Sequence, residues 1–198
     1  MSRDYIIHTP DEIERIRVAA AMTGKARDQI ADSVRPGMST KELDLIAGEI
    51  ITSMGGKCAF LGYAGFPGNI CISVNDEVVH GIGDPNRFIL KGDLVKVDVG
   101  VAFNGGIGDT ARTVYVGDEP SCPADERKLM DVTRDALEAG IKAALPGNHI
   151  RDISAAIQQV AKKNGIAIVR DFVGHGCGVK LHEPPEVPNY VTPMRGPR

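Results

Sequence analysis

The chain has 198 residues, 42% of them hydrophobic, and a formal net charge of −3. That is enough apolar material for one well-packed domain, and the mildly acidic balance leaves no basic footprint for nucleic acid. No apolar run approaches the ~20 residues a membrane span needs, and nothing at the N-terminus reads as a charged-then-apolar targeting segment.

The first predicted element starts at Thr9-Pro10-Asp11-Glu12, where Thr9 can cap, Pro10 suits the first helical position and Glu12 closes a capping box. Ile13, Ile16, Ala20 and Ile30 fit one face of this helix, which fades before Pro36-Gly37. Ser39-Thr40-Lys41-Glu42 offers a second capping box. Leu43, Ile46, Ala47, Ile50 and Met54 keep helical spacing until Gly55-Gly56. Strand-like text follows: Ile70 to Val74, a Val78-Val79-His80 run, Leu94 to Val101 and Ile107 to Val116. The last two flank Asn104-Gly105, a strong hairpin signal. A helix from about Ala124 to Leu145 should carry Leu129, Val132, Leu137 and Ile141 inward and end at Pro146-Gly147. Another runs from about Ile150, with Ile153, Ala156, Ile157 and Val160 on one side, to Gly165. Ile166 to Val169 is a further strand candidate, before the glycine-rich run Gly174 to Gly178 and Pro184-Pro185. The tail from Thr192 reads as a loop.

Shifted by 110 residues, the chain overlays on itself: Pro36-Gly37 meets Pro146-Gly147, Glu42 meets Asp152, Leu43 meets Ile153 and Gly55 meets Gly165. This predicts a single domain, residues 1–198, built from related halves at about 9–117 and 121–198. By the same shift, a counterpart of the Asn104-Gly105 hairpin is expected beyond Arg198, so the domain is read as lacking its last β-hairpin region.

Asp98 and Asp109 bracket the hairpin turn. A two-residue turn sets Asp98 opposite Ala111 and Asp109 opposite Gly100, which puts the two carboxylates on one face as diagonal neighbours. A bulge at Gly106 or Gly108 would bring them closer. Asp98 sits among Val95, Val97, Val99 and Val101. Two carboxylates aimed at an apolar face must share a proton, pair with Arg112 or bind a cation. His80 before Gly81, His175 between Gly174 and Gly176, and His182 before Glu183-Pro184-Pro185 stand where backbone or ligand can approach closely. Carboxylate and imidazole donors together suit Mn, Fe, Co or Zn better than Ca or Mg. The four cysteines, Cys58, Cys71, Cys122 and Cys177, form no CxxC pair, which argues for packed, reduced thiols and a cytoplasmic setting. A nucleophilic Cys177 beside His175 or His182 and a phosphate loop at Gly174-x-Gly176-x-Gly178 are the weaker readings of the same text.

Taken together, Ser73 to Ile82, Val97-Asp98-Val99-Gly100, Gly108 to Thr113, Gly174-His175-Gly176 and His182-Glu183-Pro184-Pro185 resemble the type I methionine aminopeptidases of bacterial kind, from about Ile7 to the end of the chain. The resemblance implies an α+β pita-bread fold, with two pseudo-symmetric halves and a curved antiparallel sheet covered by helices. It implies removal of N-terminal methionine by metal-activated water, with two divalent ions (Co, Mn, Fe or Zn). Asp98, Asp109 and His175 match metal ligands, Asp109 as the bridging one. His80 matches the residue that hydrogen-bonds the scissile amide nitrogen, and His182 the one that contacts the substrate carbonyl and its tetrahedral intermediate. Phe60, Tyr63, Phe66, Cys71 and Leu181 fall where the family builds its methionine pocket, an apolar and soft set suited to a thioether.

The expected partners are nascent polypeptide N-termini, with the ribosome as a candidate, and neither nucleic acid nor membrane. The full-length form is expected to be a monomer. Two further glutamate ligands implied by the resemblance have no counterpart in these 198 residues, so impaired turnover is expected. The rival readings are another pita-bread peptidase, such as a proline-specific one, and a non-catalytic binding module.

Overall fold

The computed structural model describes residues 5–198. Its helix starts follow from local chemistry. Thr9 caps helix α1 (Pro10–Ser33): the Glu12 amide donates to the Thr9 hydroxyl at 3.3 Å, and the Thr9 amide donates to the Glu12 carboxylate at 2.8 Å. Ser39 and Glu42 do the same for α2 (Thr40–Ser53), at 3.1 and 2.6 Å. Each reciprocal pair satisfies two amides that a helix start leaves without partners. The charge on Glu12 and on Glu42 is favoured by these bonds, which hold both carboxyls below their ordinary range.

The chain divides into two compact units. One comprises residues 8–122 and 177–181. In it, α1 and α2 cover a sheet of β1 (Lys57–Cys58), β2 (Cys71–Val74), β3 (Leu94–Phe103) and β4 (Gly106–Tyr115). All pairings are antiparallel to β3. Strand β4 runs along its whole length, and β1 and β2 lie end to end along the other edge. Val95, Val97, Val99 and Val101 point to one face of β3 and are fully buried with Ile30, Leu43, Ile51 and Ile72. Burial of each such side chain stabilises by roughly 1.5–3 kcal/mol. Period-two alternation leaves Lys96, Asp98 and Gly100 for the opposite face.

Helix α1 approaches this hairpin at backbone distance. A Cβ on Gly106 would sit 2.5 Å from the Arg15 carbonyl oxygen, and one on Gly108 would sit 2.6 Å from Ala20 Cα. Only small side chains fit such a contact. The buried stripe of α1 is therefore Ala19, Thr23, Ala26, Ile30 and Ala31. The stripe expected from Ile13, Ile16 and Ala20 is corrected: Ile13 is 56% exposed.

The other unit comprises residues 123–176 and 182–198, together with 5–7 of the described chain. Helices α3 (Ala124–Ala143) and α4 (Ile150–Lys163) pack on each other, and β5 (Gly174–Gly176) pairs antiparallel with β6 (Glu183–Val187). The helices repeat at the offset of the sequence. Helix α4 starts and ends 110 residues after α2, and α3 ends 110 residues after α1. The turns repeat too: Gly37 and Gly147 have φ of +89° and +93°, which glycine adopts without steric cost. The α3–α4 contact is made through Gly140, where a Cβ would meet Ile157 at 3.0 Å. That rotates the larger residues outward. Val132 is buried as expected, whereas Leu129, Leu137 and Ile141 are exposed.

Two expected strands are absent. Val78-Val79-His80 is loop, with Val78 50% exposed, because Gly81 rather than this run lies against β2: the Ile72 amide donates to the Gly81 carbonyl at 2.9 Å. Ile166 to Val169 is also irregular, since no strand pairs with it among the described residues. Among the described residues no helix is long and apolar enough to cross a membrane.

Removing the buried Ser39 hydroxyl orphans the Glu42 amide. Ser39→Ala is expected to cost about 1 kcal/mol in denaturant unfolding, with the helix content of the native state unchanged by circular dichroism.

Candidate functional site

The site begins at the turn. Asn104 and Gly105 take φ of +48° and +78°, the left-handed pair that closes a two-residue hairpin with the twist of its strands. The register that results sets Asp98 opposite Ala111 and Gly100 opposite Asp109. No bulge interrupts the β3–β4 ladder. Gly106 and Gly108, expected as bulge positions, instead admit α1. Both carboxylates thus project from the face opposite the buried valines.

They meet there. The two carboxyl groups hydrogen-bond each other, and Asp98 is pushed up to about 7. Desolvation is the largest cause, followed by the charge of Asp109 and the hydrogen bond itself. Asp98 as a residue keeps some surface, so the desolvation falls on its carboxyl end. Two carboxylates in contact cannot both ionise cheaply; the pair holds a proton near neutral pH unless a cation replaces it.

Apolar groups flank the pair. Cys71, on β2, is the register partner of Asp98. Its thiol is pushed up to about 12, chiefly by burial and then by the negative charges of Asp98, Asp109 and Asp44. It therefore stays protonated and serves as soft wall, not nucleophile. Phe60, Cys71 and Leu181 form a buried cluster, with Ala59, Phe66, Ile107 and Cys177 packed against it. Gly100 makes this possible: a Cβ there would sit 2.4 Å from the Phe60 ring. The segment carrying Leu181 is tied to the hairpin, where the Ile107 amide donates to the Gly178 carbonyl at 2.7 Å. Tyr63 stands at the head of a short 3-10 turn (Tyr63–Gly65) and is 44% exposed, outside the buried cluster. His80 is exposed, on left-handed backbone at φ +61°.

In the second unit His175 and His182 are brought together, their ring centroids 4.1 Å apart. His175 Nδ1 lies 2.9 Å from the Gly176 carbonyl oxygen. A carbonyl only accepts, so in the neutral ring Nδ1 carries the hydrogen and the lone pair is on Nε2, the form a metal ligand needs. Among the described residues no three His, Cys, Asp or Glu side chains form a ready-made metal cage. Each unit by itself offers donors that suit a divalent transition metal: the two carboxylates on the hairpin, and the oriented imidazole of His175.

Asp44 escaped the sequence reading. Its side chain is fully buried and accepts from Lys41 Nζ at 2.8 Å, the Asn69 amide at 2.6 Å and the Ile70 amide at 3.3 Å. It pins the entry to β2 and hence Cys71. The signal was available: Asp44 falls on the same helical stripe as Thr40, Leu43, Ala47 and Ile51, all buried.

The fold and its acidic hairpin define a class, and comparison with known proteins agrees. The chain belongs to metallopeptidase family M24, whose sequence pattern matches residues 14–197. Its relatives include methionine aminopeptidases. That of Clostridium acetobutylicum is 40% identical over 193 residues, covering 98% of this chain and 76% of its own. The crystal structure of methionine aminopeptidase from Rickettsia prowazekii superposes with a TM-score of 0.91 at 37% identity, over 98% of this chain and 76% of that one. A prolidase from Pyrococcus furiosus shares the fold alone, with a TM-score of 0.78 at 24% identity over 94% of this chain and 53% of its own. The architecture is the α+β pita-bread fold these enzymes have in common.

The raised Asp98 gives a signed expectation for the chelator-treated protein. The unfolded state releases this proton near pH 4 and the folded state near pH 7. Between those values the folded state binds more protons, so stability falls as pH rises through the window. The melting temperature should drop across it, and Asp98→Asn should remove most of that drop. Asp44→Ala, which strips the partner from two amides, is expected to cost about 3 kcal/mol in urea unfolding.

Proposed function

We propose that this chain is a metal-dependent aminopeptidase that removes the N-terminal methionine of nascent proteins and peptides. The carboxyl pair carries this reading. Asp98 and Asp109 are held together on one face of a rigid hairpin, at an electrostatic cost that a divalent cation offsets. The family and the close relatives named methionine aminopeptidase support the same activity.

Asp98, Asp109 and His175 would hold divalent metal, with two ions expected. When bound, the metal supplies Lewis acidity, activating water and polarising the scissile carbonyl. The protein's own groups do the rest. The cluster of Phe60, Phe66, Cys71 and Leu181, with Tyr63 at its rim, receives the methionine side chain and excludes water from it. His182 stabilises the negative charge that develops on the substrate carbonyl oxygen. His80 hydrogen-bonds the amide nitrogen that leaves. The setting is the cytoplasm and the partners are N-termini of nascent chains, at the ribosome or after release.

The test is hydrolysis of a Met-Gly-Met peptide with added Mn or Co. Wild-type protein should release free methionine, and Asp98→Asn and Asp109→Asn should each lower the rate by about 100-fold or more. Added metal should raise the melting temperature of the wild type but not of either variant. Equal turnover in the variants, or no metal-dependent stabilisation of the wild type, overturns the assignment.

A further inference from the structure

His80 occupies left-handed backbone, at φ +61°. For a residue with a Cβ that conformation is sterically unfavourable and persists only where the surroundings enforce it. The enforcement is visible one residue on. The Ile72 amide donates to the Gly81 carbonyl at 2.9 Å, and the Gly81 amide donates to the Ser73 hydroxyl at 3.0 Å. Ser73 is 2% exposed and lies on β2, with Lys96 as its register partner on β3. Gly81 is pressed flat against that strand: a Cβ there would sit 2.0 Å from the Ile72 carbonyl oxygen and 2.9 Å from Ser73 Cα.

The loop that carries His80 is tied at its other end as well. It leaves β2 at Asn75, itself at φ +56°, and the Val74 amide donates to the Glu77 carboxylate at 2.7 Å. Gly81 docks on the edge of β2 that faces away from β3, two strand spacings, about 10 Å, from the backbone of Asp98. The peptide plane between His80 and Gly81 contains the amide that Ser73 accepts. While that bond holds, the plane stays in place, and with it the Cα of His80 from which the imidazole projects.

We propose that Ser73 is a positioning residue for His80: its buried hydroxyl locks the His80–Gly81 peptide plane and so aims the imidazole at the substrate. The role in turnover rests on the aminopeptidase reading, whereas the lock itself does not. Ser73 touches no substrate; it acts through His80.

The experiment has two arms. In the first, hydrogen exchange and imidazole NMR are followed in metal-free wild type, Ser73→Ala and the surface control Ser53→Ala. The Gly81 amide should be protected in wild type, exchange at least about 100-fold faster in Ser73→Ala, and the His80 ring resonances should shift in that variant alone. An unprotected Gly81 amide in wild type, or His80 resonances indifferent to Ser73→Ala, overturns the proposal without reference to activity or to whether the variant folds well. In the second arm, a double-mutant cycle is run on Met-Gly-Met hydrolysis. Ser73→Ala should lower kcat about tenfold with little change in KM, and should add nothing when His80 is already alanine. Equal losses from Ser73→Ala in both backgrounds mean a general structural role and refute positioning through His80. If wild type fails to hydrolyse the peptide under any metal, the aminopeptidase reading falls, and the exchange arm alone judges the lock.

Discussion

Two carboxyl groups in contact on one face of a β-hairpin are the constraint around which this protein is arranged. Nothing in the packing requires them. The four valines that alternate with Lys96, Asp98 and Gly100 on β3 build the core by themselves. Asp98 and Asp109 raise the free energy of the metal-free fold near neutral pH, and they are kept in register by an unbroken ladder closed with an Asn-Gly turn. A structure that accepts this cost and then surrounds the pair with apolar wall has the organisation of a binding site, in which stability is given up for function.

The rest of the first unit serves that hairpin. On one side α1 lies at backbone contact with Gly106 and Gly108, which holds the strands rigid and explains why its buried residues are small. On the other, Gly100 has no side chain, and Phe60 takes the vacated space next to the acids. Asp44 anchors the chain as it enters β2, and Ser73 anchors it as it returns at Gly81. The two anchors act on one short strand, and through it on the soft Cys71 wall and on His80.

Much of this was legible in the amino acids, because the relevant rules are local. The capping boxes at Thr9 and Ser39, the Asn104-Gly105 turn and the period of two along β3 depend on residues within a few positions of each other, and from them the shared face of Asp98 and Asp109 follows. The 110-residue offset reappears in the helix boundaries. What was illegible depends on partners distant in sequence. The face of α1 is chosen by glycines in a hairpin it has not yet met, and that of α3 by Gly140 against Ile157. Val78-Val79-His80 has strand composition, yet the pairing with β2 goes to Gly81. Ser73 reads as an ordinary strand residue until the chain folds back on it. His80, His175 and His182 were picked out by their glycine and proline neighbours, but only the family resemblance assigns each a role.

The most direct measurement of the central claim is anomalous diffraction from crystals soaked in Zn²⁺. The account predicts a strong peak bonded at about 2.0–2.2 Å to carboxylate oxygens of both Asp98 and Asp109. A peak bonded to one of them with the other turned away, or no peak at this hairpin while zinc binds elsewhere, would contradict it.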